Sequence, residues 1–261
     1  MQSILDRFRT RAATAGILLD FDGTLSELVP LPSDARPAEG VVEVLHDLSE
    51  RYRALSIISG RSARELLGWL GPSLDIWGVH GAERAIAGEV VVSDLAAPYL
   101  GLMREVYDEA EKRIRQLAIP GVLVEDKGVM VGLHYRAADD HDSASHHLRV
   151  LTSDLAERFG LWHAEGKRAF ELRPPIQLSK ADVVLEVAAD SSLDPVLFAG
   201  DDVVDLPGFD ALDRLSRQGI DTVRVAVSSG EAPPELLQRG DVIVEGPQGM
   251  LELLRSLAED D

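Results

Sequence analysis

The sequence predicts an α/β fold with a parallel-sheet core and an inserted α+β domain. Short apolar runs alternate with amphipathic segments near both ends of the chain, a pattern typical of a parallel sheet with helices on both faces. The middle of the chain instead follows the order helix, hairpin, helix, hairpin, and prolines punctuate its ends. We therefore expect a core domain of residues 1–98 and 177–261 and an inserted domain of residues 99–176.

The elements of the core domain follow from its apolar runs. The predicted strands cover residues 16–20, 54–59, 75–79, 195–199, 222–227 and 241–244. The predicted helices cover residues 38–51, 63–70, 180–189, 206–217 and 234–239. Functional residues of parallel sheets collect at the carboxyl ends of strands, where Asp20, Ser59 and Asp201 are expected.

The inserted domain has a helix at residues 100–118, a second helix around residues 148–159, and hairpins at residues 121–136 and 161–173. Side chains alternate along a strand, so the apolar faces should pack on the helices. The other face then carries His134, Arg136, Glu171 and Arg173, with Lys127 and Lys167 at the hairpin turns. Either a binding surface or an ordinary solvated sheet face fits this pattern.

Charge and composition exclude several classes of function. The chain has 26 basic and 45 acidic residues and a net charge of −19, whereas nucleic-acid binding needs a basic surface. No apolar run approaches the roughly 18 residues of a membrane span, and residues 1–16 lack the apolar stretch of a signal peptide. The chain has no cysteine, which excludes thiolate catalysis. We expect a cytoplasmic protein without nucleic-acid or membrane partners.

The stretch Asp20-Phe21-Asp22-Gly23-Thr24 places two carboxylates where a buried strand ends in a turn. An ionised Asp20 can attack an electrophile, and Asp22 can give a proton to a leaving oxygen and later take one from water. An ordinary turn after a strand would explain this stretch equally well. It would not explain the further carboxylates downstream.

A second group of carboxylates follows a later apolar run, at Asp201, Asp202 and Asp205. Each like-charge pair at about 4 Å costs on the order of 4 kcal/mol at an effective dielectric near 20, so a cluster with Asp20 needs a cation. Oxygen ligands suit Mg²⁺. Lys180, at the start of a helix, is the candidate for a further positive charge, and Ser59 and the following backbone could hold phosphate oxygens.

The motifs DFDGT, SGR, a distant lysine and GDDVVD, in this order, resemble the four motifs of the haloacid dehalogenase-like phosphatases. The resemblance implies a Rossmann-like core, with Asp20 as nucleophile, Asp22 as general acid and base, and Ser59, Gly60 and Lys180 as phosphate ligands. It also implies a Mg²⁺ cofactor. The ligands that it implies are Asp20, the backbone carbonyl of Asp22 and Asp201, with Asp202 and Asp205 in support.

The inserted domain resembles the type C2 caps of this superfamily. The stretches GVHGAE, EDKGVMVGLHYR and GKRAFELRP are similar to those of trehalose-6-phosphate phosphatases. This resemblance spans nearly the whole chain and implies a small-molecule sugar phosphate as substrate. The residues implied to bind it are Arg61, Glu125, Lys127, His134, Arg136, Lys167 and Glu171. Ala181, Val204 and Leu206 depart from the family pattern.

Three interpretations remain open at this point, besides a phosphotransferase or mutase, which the core motifs allow but an inserted domain sized for a disaccharide disfavours. The first is hydrolysis of trehalose 6-phosphate through an aspartyl-phosphate. The second keeps the chemistry but takes another sugar phosphate, of the sucrose or mannosyl type, since only the inserted domain distinguishes these substrates. The third is a catalytically silent sugar-phosphate-binding module, against which the intact Asp20, Asp22, Lys180 and Asp201 argue. The sequence does not show whether a trehalose-6-phosphate synthase is a partner.

Overall fold

The structure, a computed structural model, describes residues 2–166 and 168–259. The chain divides into two compact units. The first, here called the core unit, comprises Met1–Leu28, Ala35–Val91 and Leu178–Asp261. The second, the inserted unit, comprises Val29–Asp34 and Val92–Gln177. Within the described ranges, no helix has the length and apolar character needed to cross a membrane.

The helices and strands follow one another in three stretches of chain. The first contains α1 (Gln2–Thr10), β1 (Gly16–Leu19), α2 (Val41–Arg51), β2 (Ala54–Ile58), α3 (Ala63–Leu70), β3 (Asp75–Gly78), β4 (Glu83–Ile86) and β5 (Glu89–Val92). The second contains α4 (Leu100–Leu117), β6 (Leu123–Asp126), β7 (Val131–His134), α5 (His141–Phe159), β8 (Trp162–Gly166) and β9 (Ala169–Arg173). The third contains α6 (Lys180–Ser191), β10 (Val196–Gly200), α7 (Leu206–Arg217), β11 (Thr222–Ser228), α8 (Pro234–Arg239), β12 (Val242–Glu245) and α9 (Gly246–Ala258).

The sheet of the core unit has the order β12-β11-β10-β1-β2-β3-β4-β5. The strands from β12 to β3 pair in parallel, which confirms the predicted parallel core. Strand β4 runs antiparallel to β3, and the hairpin of β4 and β5 was not predicted. Its two connecting residues, Ala87 and Gly88, have φ angles of 51° and 83°, a pattern typical of tight hairpin turns.

The central strands bury side chains on both faces of this sheet. Ile17 and Leu19 of β1 belong to a core formed with α1, α2, α3 and α9. Leu18, which points to the opposite face, belongs to a core formed with α6, α7 and α8. The prediction of helices on both faces is confirmed. Helices α1 and α9 are additional elements that the apolar pattern had not predicted.

The inserted unit has an antiparallel sheet of order β6-β7-β9-β8. Leu133 of β7 and Phe170 of β9 form a buried core with Met103 of α4 and Leu148 of α5. The helices therefore cover one face of this sheet, as the alternation of apolar residues predicts. The polar side chains of β7 and β9 lie on the other face.

Candidate active site

The carboxyl ends of three neighbouring strands bring three of the predicted functional residues to one edge of the core sheet. Strand β1 lies between β10 and β2. Asp20 follows β1, Ser59 follows β2, and Asp201 follows β10. All three are buried, with 5% of Asp20, 1% of Ser59 and 2% of Asp201 exposed. Because the strands are parallel, their carboxyl ends lie at the same edge of the sheet, which is where α/β sheets bind ligands.

Three buried carboxylates form the centre of the site. Within residues 2–166 and 168–259, Asp20, Asp201 and Asp205 are the group that could hold a metal ion, with ligand oxygens within 4.8 Å of one another. Asp205 is oriented by the backbone, since its Oδ2 accepts the N–H groups of Asp201 and Asp202 at 3.0 Å each. Gly23 allows the Asp201 carboxylate to approach the backbone after β1. The φ of Gly23 is 80°, and a Cβ there would lie 2.1 Å from Asp201 Oδ2.

Lys180 enters this group from the first residue of α6, which follows Ser179 as N-cap. Its buried ammonium donates to Asp20 Oδ1 and, at 2.6 Å, to Asp205 Oδ1. Burial alone would lower the pKa of Lys180, but the two carboxylates outweigh it and raise the pKa. The lysine therefore stays charged and links the nucleophile candidate to Asp205.

The charges of the group fit a divalent cation. Burial is the main cause that raises the pKa of Asp20 well above its ordinary value; Asp205 raises it further, and Lys180 only partly opposes them. The group has three carboxylates and one ammonium, which contacts Asp20 and Asp205, so the ionised group has an excess of negative charge. Carboxylate oxygens are the ligands that Mg²⁺ prefers. Asp20, Asp201 and Asp205 are therefore suited to hold Mg²⁺.

Asp22 is not a member of this carboxylate group. Its side chain accepts two hydrogen bonds from Arg61, from Nε at 2.8 Å and from Nη2 at 2.9 Å. Arg61 also donates to Glu65 at 3.0 Å, and its guanidinium lies 5.0 Å from the ring centre of Trp69. Burial would lower the pKa of Arg61, but Asp22 and Glu65 raise it. Arg61, predicted to bind substrate, thus contacts the general-acid candidate.

The loop after β2 contains the predicted phosphate ligands Ser59 and Gly60. Ser59 Oγ accepts the N–H of Arg61 at 3.2 Å, and the Ser59 carbonyl accepts the N–H of His80 at 2.9 Å. Gly60 lies against the His80 imidazole, because a Cβ at Gly60 would be 3.0 Å from two ring atoms. The turn after β3 therefore supports this loop.

Glu83 is a supporting residue to which sequence analysis assigned no role. Its Oε2 accepts the N–H of Ala63 at 2.8 Å and so caps the start of α3. Burial raises the pKa of Glu83 above its ordinary value. The stretch GVHGAE, which contains both His80 and Glu83, was the signal in the sequence. Within this stretch His80 contacts the loop after β2 and Glu83 contacts the start of α3.

Asp202, predicted as a supporting metal ligand, has a different position from Asp205. Its carboxylate accepts the N–H of Val203 at 2.6 Å, and with Asp205 it forms a capping box for the turn Val203–Asp205. The structure does not bring Asp202 into the carboxylate group. Val204 and Leu206, which depart from the family pattern, leave this cap intact.

The inserted unit brings together four of the predicted sugar-binding residues. His134 Nε2 lies 2.7 Å from Glu125 Oε2. Lys127 Nζ lies 3.7 Å from Glu125 Oε2 and 3.5 Å from Glu171 Oε1. Glu171 also accepts a hydrogen bond from Arg173 Nε at 3.1 Å. Arg173 was predicted to lie on this face, but no role was predicted for it.

The other two residues of this unit that are predicted to bind the sugar are Arg136 and Lys167. Arg136 follows β7 and is half-buried, and its carbonyl oxygen lies 3.0 Å from His141 Nε2. Lys167 lies outside the described residues. Among the described residues of the polar face, the acids pair with bases: Glu125 with His134 and Lys127, and Glu171 with Lys127 and Arg173.

Solved structures share the fold of this chain. A haloacid dehalogenase-like hydrolase from Bacteroides thetaiotaomicron matches with a TM-score of 0.62 and 15% identity, over 93% of this chain and 98% of that chain. At this level of identity the match shows that the two chains share a fold. The sequence model of the trehalose-phosphatase family matches residues 18–236. The chain belongs to that family.

Individual relatives agree with this membership. A trehalose-phosphate phosphatase from Mycobacterium marinum is 33% identical over 204 residues, which cover 75% of this chain and 51% of the relative. The chain therefore spans about half the length of this and other mycobacterial relatives. A solved trehalose-6-phosphate phosphatase related protein matches with a TM-score of 0.78 and 25% identity, over 93% of this chain and 96% of that chain.

Proposed function

We propose that the protein is a Mg²⁺-dependent phosphatase that hydrolyses trehalose 6-phosphate to trehalose and phosphate in trehalose biosynthesis. The observation that carries the proposal is the buried group of Asp20, Lys180, Asp201 and Asp205 in a chain of the trehalose-phosphatase family. Relatives of this chain are named trehalose-phosphate phosphatases. Lys180 supplies the local positive charge that an anionic substrate needs in a protein of net charge −19.

In the first step an Asp20 carboxylate oxygen attacks phosphorus and the bond from phosphorus to the sugar oxygen breaks. An aspartyl-phosphate forms on Asp20, and Asp22 gives its proton to the departing sugar oxygen. In the structure Arg61 holds Asp22 through two hydrogen bonds, one to each carboxylate oxygen, so one oxygen has to be released from Arg61 to carry the proton that Asp22 donates. In the second step Asp22 takes a proton from water as the water oxygen attacks phosphorus. The bond between phosphorus and the Asp20 oxygen breaks, which releases phosphate and restores the Asp20 carboxylate.

The phosphate group is bound by charges and hydrogen-bond donors of the core unit. Lys180 balances negative charge beside Asp20, and the Ser59 hydroxyl with the N–H of Gly60 would bind phosphate oxygens. Mg²⁺, held by Asp20, the Asp22 carbonyl and Asp201 with Asp205 in support, would reduce the repulsion between the nucleophile and the phosphate. Asp202 would act indirectly, by fixing the turn that carries Asp205.

The inserted unit would recognise the sugar. Carboxylates accept hydrogen bonds from sugar hydroxyls, and ammonium and guanidinium groups donate to them. Glu125, Lys127, His134 and Glu171 offer both kinds of group on one sheet face. Arg136 and Lys167 complete the proposed set. This assignment separates the two units by role: chemistry in the core unit and substrate choice in the inserted unit.

The test is phosphate release from a panel of sugar phosphates, with and without Mg²⁺, with Asp20→Asn as the control. We expect a strong preference for trehalose 6-phosphate that needs Mg²⁺ and is absent in the variant. Equal turnover of sucrose and mannosyl phosphates, still lost in the variant, would keep the mechanism and contradict the proposed substrate. No turnover by folded wild-type protein would contradict the enzyme and support a silent binding module.

A further inference from the structure

Gly132 occupies a position where a sheet rarely uses glycine. It lies in β7, an inner strand of the four-stranded sheet, and pairs in register with Glu125 on β6 and with Glu171 on β9. Glycine inside a strand weakens the strand and commonly marks a close approach of another group. Two proposed sugar-binding carboxylates therefore flank a position that has no side chain.

The group that approaches Gly132 is the imidazole of His134. A Cβ built on Gly132 would lie 2.9 Å from His134 Nε2 and 3.4 Å from Glu125 Oε2. His134, two residues further along the same strand, lies back across this space, where its Nε2 is 2.7 Å from Glu125 Oε2. When the His134 ring is within hydrogen-bonding distance of Glu125, it therefore fills the space that a side chain at residue 132 would need.

The orientation of Glu125 affects the rest of this surface. The same Glu125 Oε2 that contacts His134 lies 3.7 Å from Lys127 Nζ, which in turn lies 3.5 Å from Glu171 Oε1. A change in the position of His134 would therefore alter the partners of Glu125 and, through Lys127, those of Glu171. Gly132 lies beside the pair of His134 and Glu125 in this network.

We propose that Gly132 is a positioning residue for substrate recognition: its missing side chain lets His134 hold Glu125 in the orientation that binds a sugar hydroxyl. This inference rests on the proposed function of the inserted unit. It predicts that the space at residue 132, as well as the charged residues around it, sets the preference for a disaccharide phosphate over a small phosphate ester.

The variant that tests the proposal is Gly132→Ala. The atom closest to the added methyl group is the far end of the histidine side chain, so the ring can move and the fold should survive. We expect kcat/KM for trehalose 6-phosphate to fall about tenfold or more, the value of a hydrogen bond to a charged group. The kcat/KM for p-nitrophenyl phosphate, which has no sugar, should stay within about twofold of wild type.

The matched control is Gly101→Ala, in α4 of the same unit, where an added Cβ meets nothing within 4 Å. This variant should have the same kcat/KM as wild type for both trehalose 6-phosphate and p-nitrophenyl phosphate. In a His134→Ala background, Gly132→Ala should have no further effect, because the ring that it displaces is already absent. Equal losses for both substrates, no loss for either, or a full further loss in the His134→Ala background would each overturn the proposal.

A crystal structure of the Gly132→Ala protein provides a readout that does not depend on activity. The proposal expects the His134 ring to have moved out of hydrogen-bonding distance from Glu125, and an unmoved ring would overturn it. Wild-type protein that does not hydrolyse trehalose 6-phosphate would contradict the proposed function alone, since the position of the ring is tested by the crystal structure.

Discussion

The charged groups of the core unit and those of the inserted unit lie in different environments. In the core unit the side chains of Lys180, Asp20 and Asp205 are almost completely buried, with 1%, 7% and 0% exposed. In the inserted unit the side chains of Glu125 and His134 are 21% and 19% exposed. The core group also has more carboxylates than cations, whereas the polar face of the inserted unit pairs acids with bases.

This difference indicates what each region can do. A buried excess of carboxylates is unfavourable without a bound cation and a charged lysine, so the core site is suited to charge-dependent chemistry. On the inserted sheet the side chains of Glu125 and Glu171 are 21% and 17% exposed, while Lys127 beside them is 8% exposed. The two carboxylates can accept hydrogen bonds from a ligand, so the inserted sheet is suited to recognition. The predictions that follow change one region at a time, starting with the largest effect.

Replacement of Lys180 by methionine should damage the core unit most. It leaves Asp20 and Asp205 buried without their ammonium, and breaking a buried pair typically costs about 3–5 kcal/mol of unfolding free energy. Turnover of trehalose 6-phosphate and of p-nitrophenyl phosphate should both be lost. Urea unfolding and steady-state kinetics measure the two effects.

The control for Lys180→Met is Lys112→Met, which removes a 62% exposed lysine side chain from α4. Surface ion pairs contribute about 0–1 kcal/mol, so this variant should differ little from wild type. If both variants lost the same stability, Lys180 would not be the charge that holds the carboxylate group together.

Mg²⁺ should stabilise the core unit through its carboxylates. A ligand at 100 times its dissociation constant raises the unfolding free energy by about 2.7 kcal/mol, and Asp201→Asn should lose most of this gain. Asp202→Asn should keep it, because asparagine can still cap the turn that Asp202 caps. Urea unfolding at increasing Mg²⁺ concentration measures the gain, and an equal loss in both variants would show that Asp202 is a ligand after all.

Replacement of Glu171 by glutamine should affect recognition but not chemistry. The loss of a charged hydrogen-bond acceptor predicts a fall of about tenfold or more in kcat/KM for trehalose 6-phosphate. Turnover of p-nitrophenyl phosphate should not change. Glu165→Gln, on the exposed strand β8, is the matched control for an acidic residue on this sheet. Losses of the same size with both substrates would contradict the division of roles.

Glu83→Gln should produce the smallest effect, which depends on pH. Because burial raises the pKa of Glu83 in the folded state, its favourable contribution is complete below its ordinary pKa of 4.5 and is lost as pH rises through the folded pKa. Wild-type stability should therefore fall relative to the variant above pH 4.5, by at most about 1.4 kcal/mol per pH unit. Urea unfolding across this range tests it, and parallel stability curves would contradict the raised pKa.

Much of the fold could be predicted because it depends on local patterns. Alternating apolar runs identify the strands around Asp20, Ser59 and Asp201, and the apolar faces of β7 and β9 follow from side-chain alternation. The hairpin of β4 and β5 was not predicted, because Ala87-Gly88 is not one of the residue pairs that hairpin turns usually contain. The turn forms because Ala87 adopts a left-handed conformation, with a φ of 51°, which non-glycine residues rarely adopt.

The site shows the limit of prediction from sequence most clearly in two acidic pairs. Asp201 and Asp202 are adjacent and chemically identical, yet only Asp201 joins the carboxylate group while Asp202 caps a turn. Asp20 and Asp22 are two residues apart, but the strand ends at Leu19 and the Asp22 side chain contacts Arg61. Which oxygen points where depends on the turn after each strand.

The sequence alone determined the α/β core, the order of the catalytic motifs and the residues available for chemistry, because these follow from periodicity and residue type. The tertiary structure decided which side chains meet: Lys180 with Asp20, Arg61 with Asp22, and His134 with Glu125 across Gly132. Such contacts depend on side-chain rotamers, tight turns and the packing of distant segments, which local patterns do not encode.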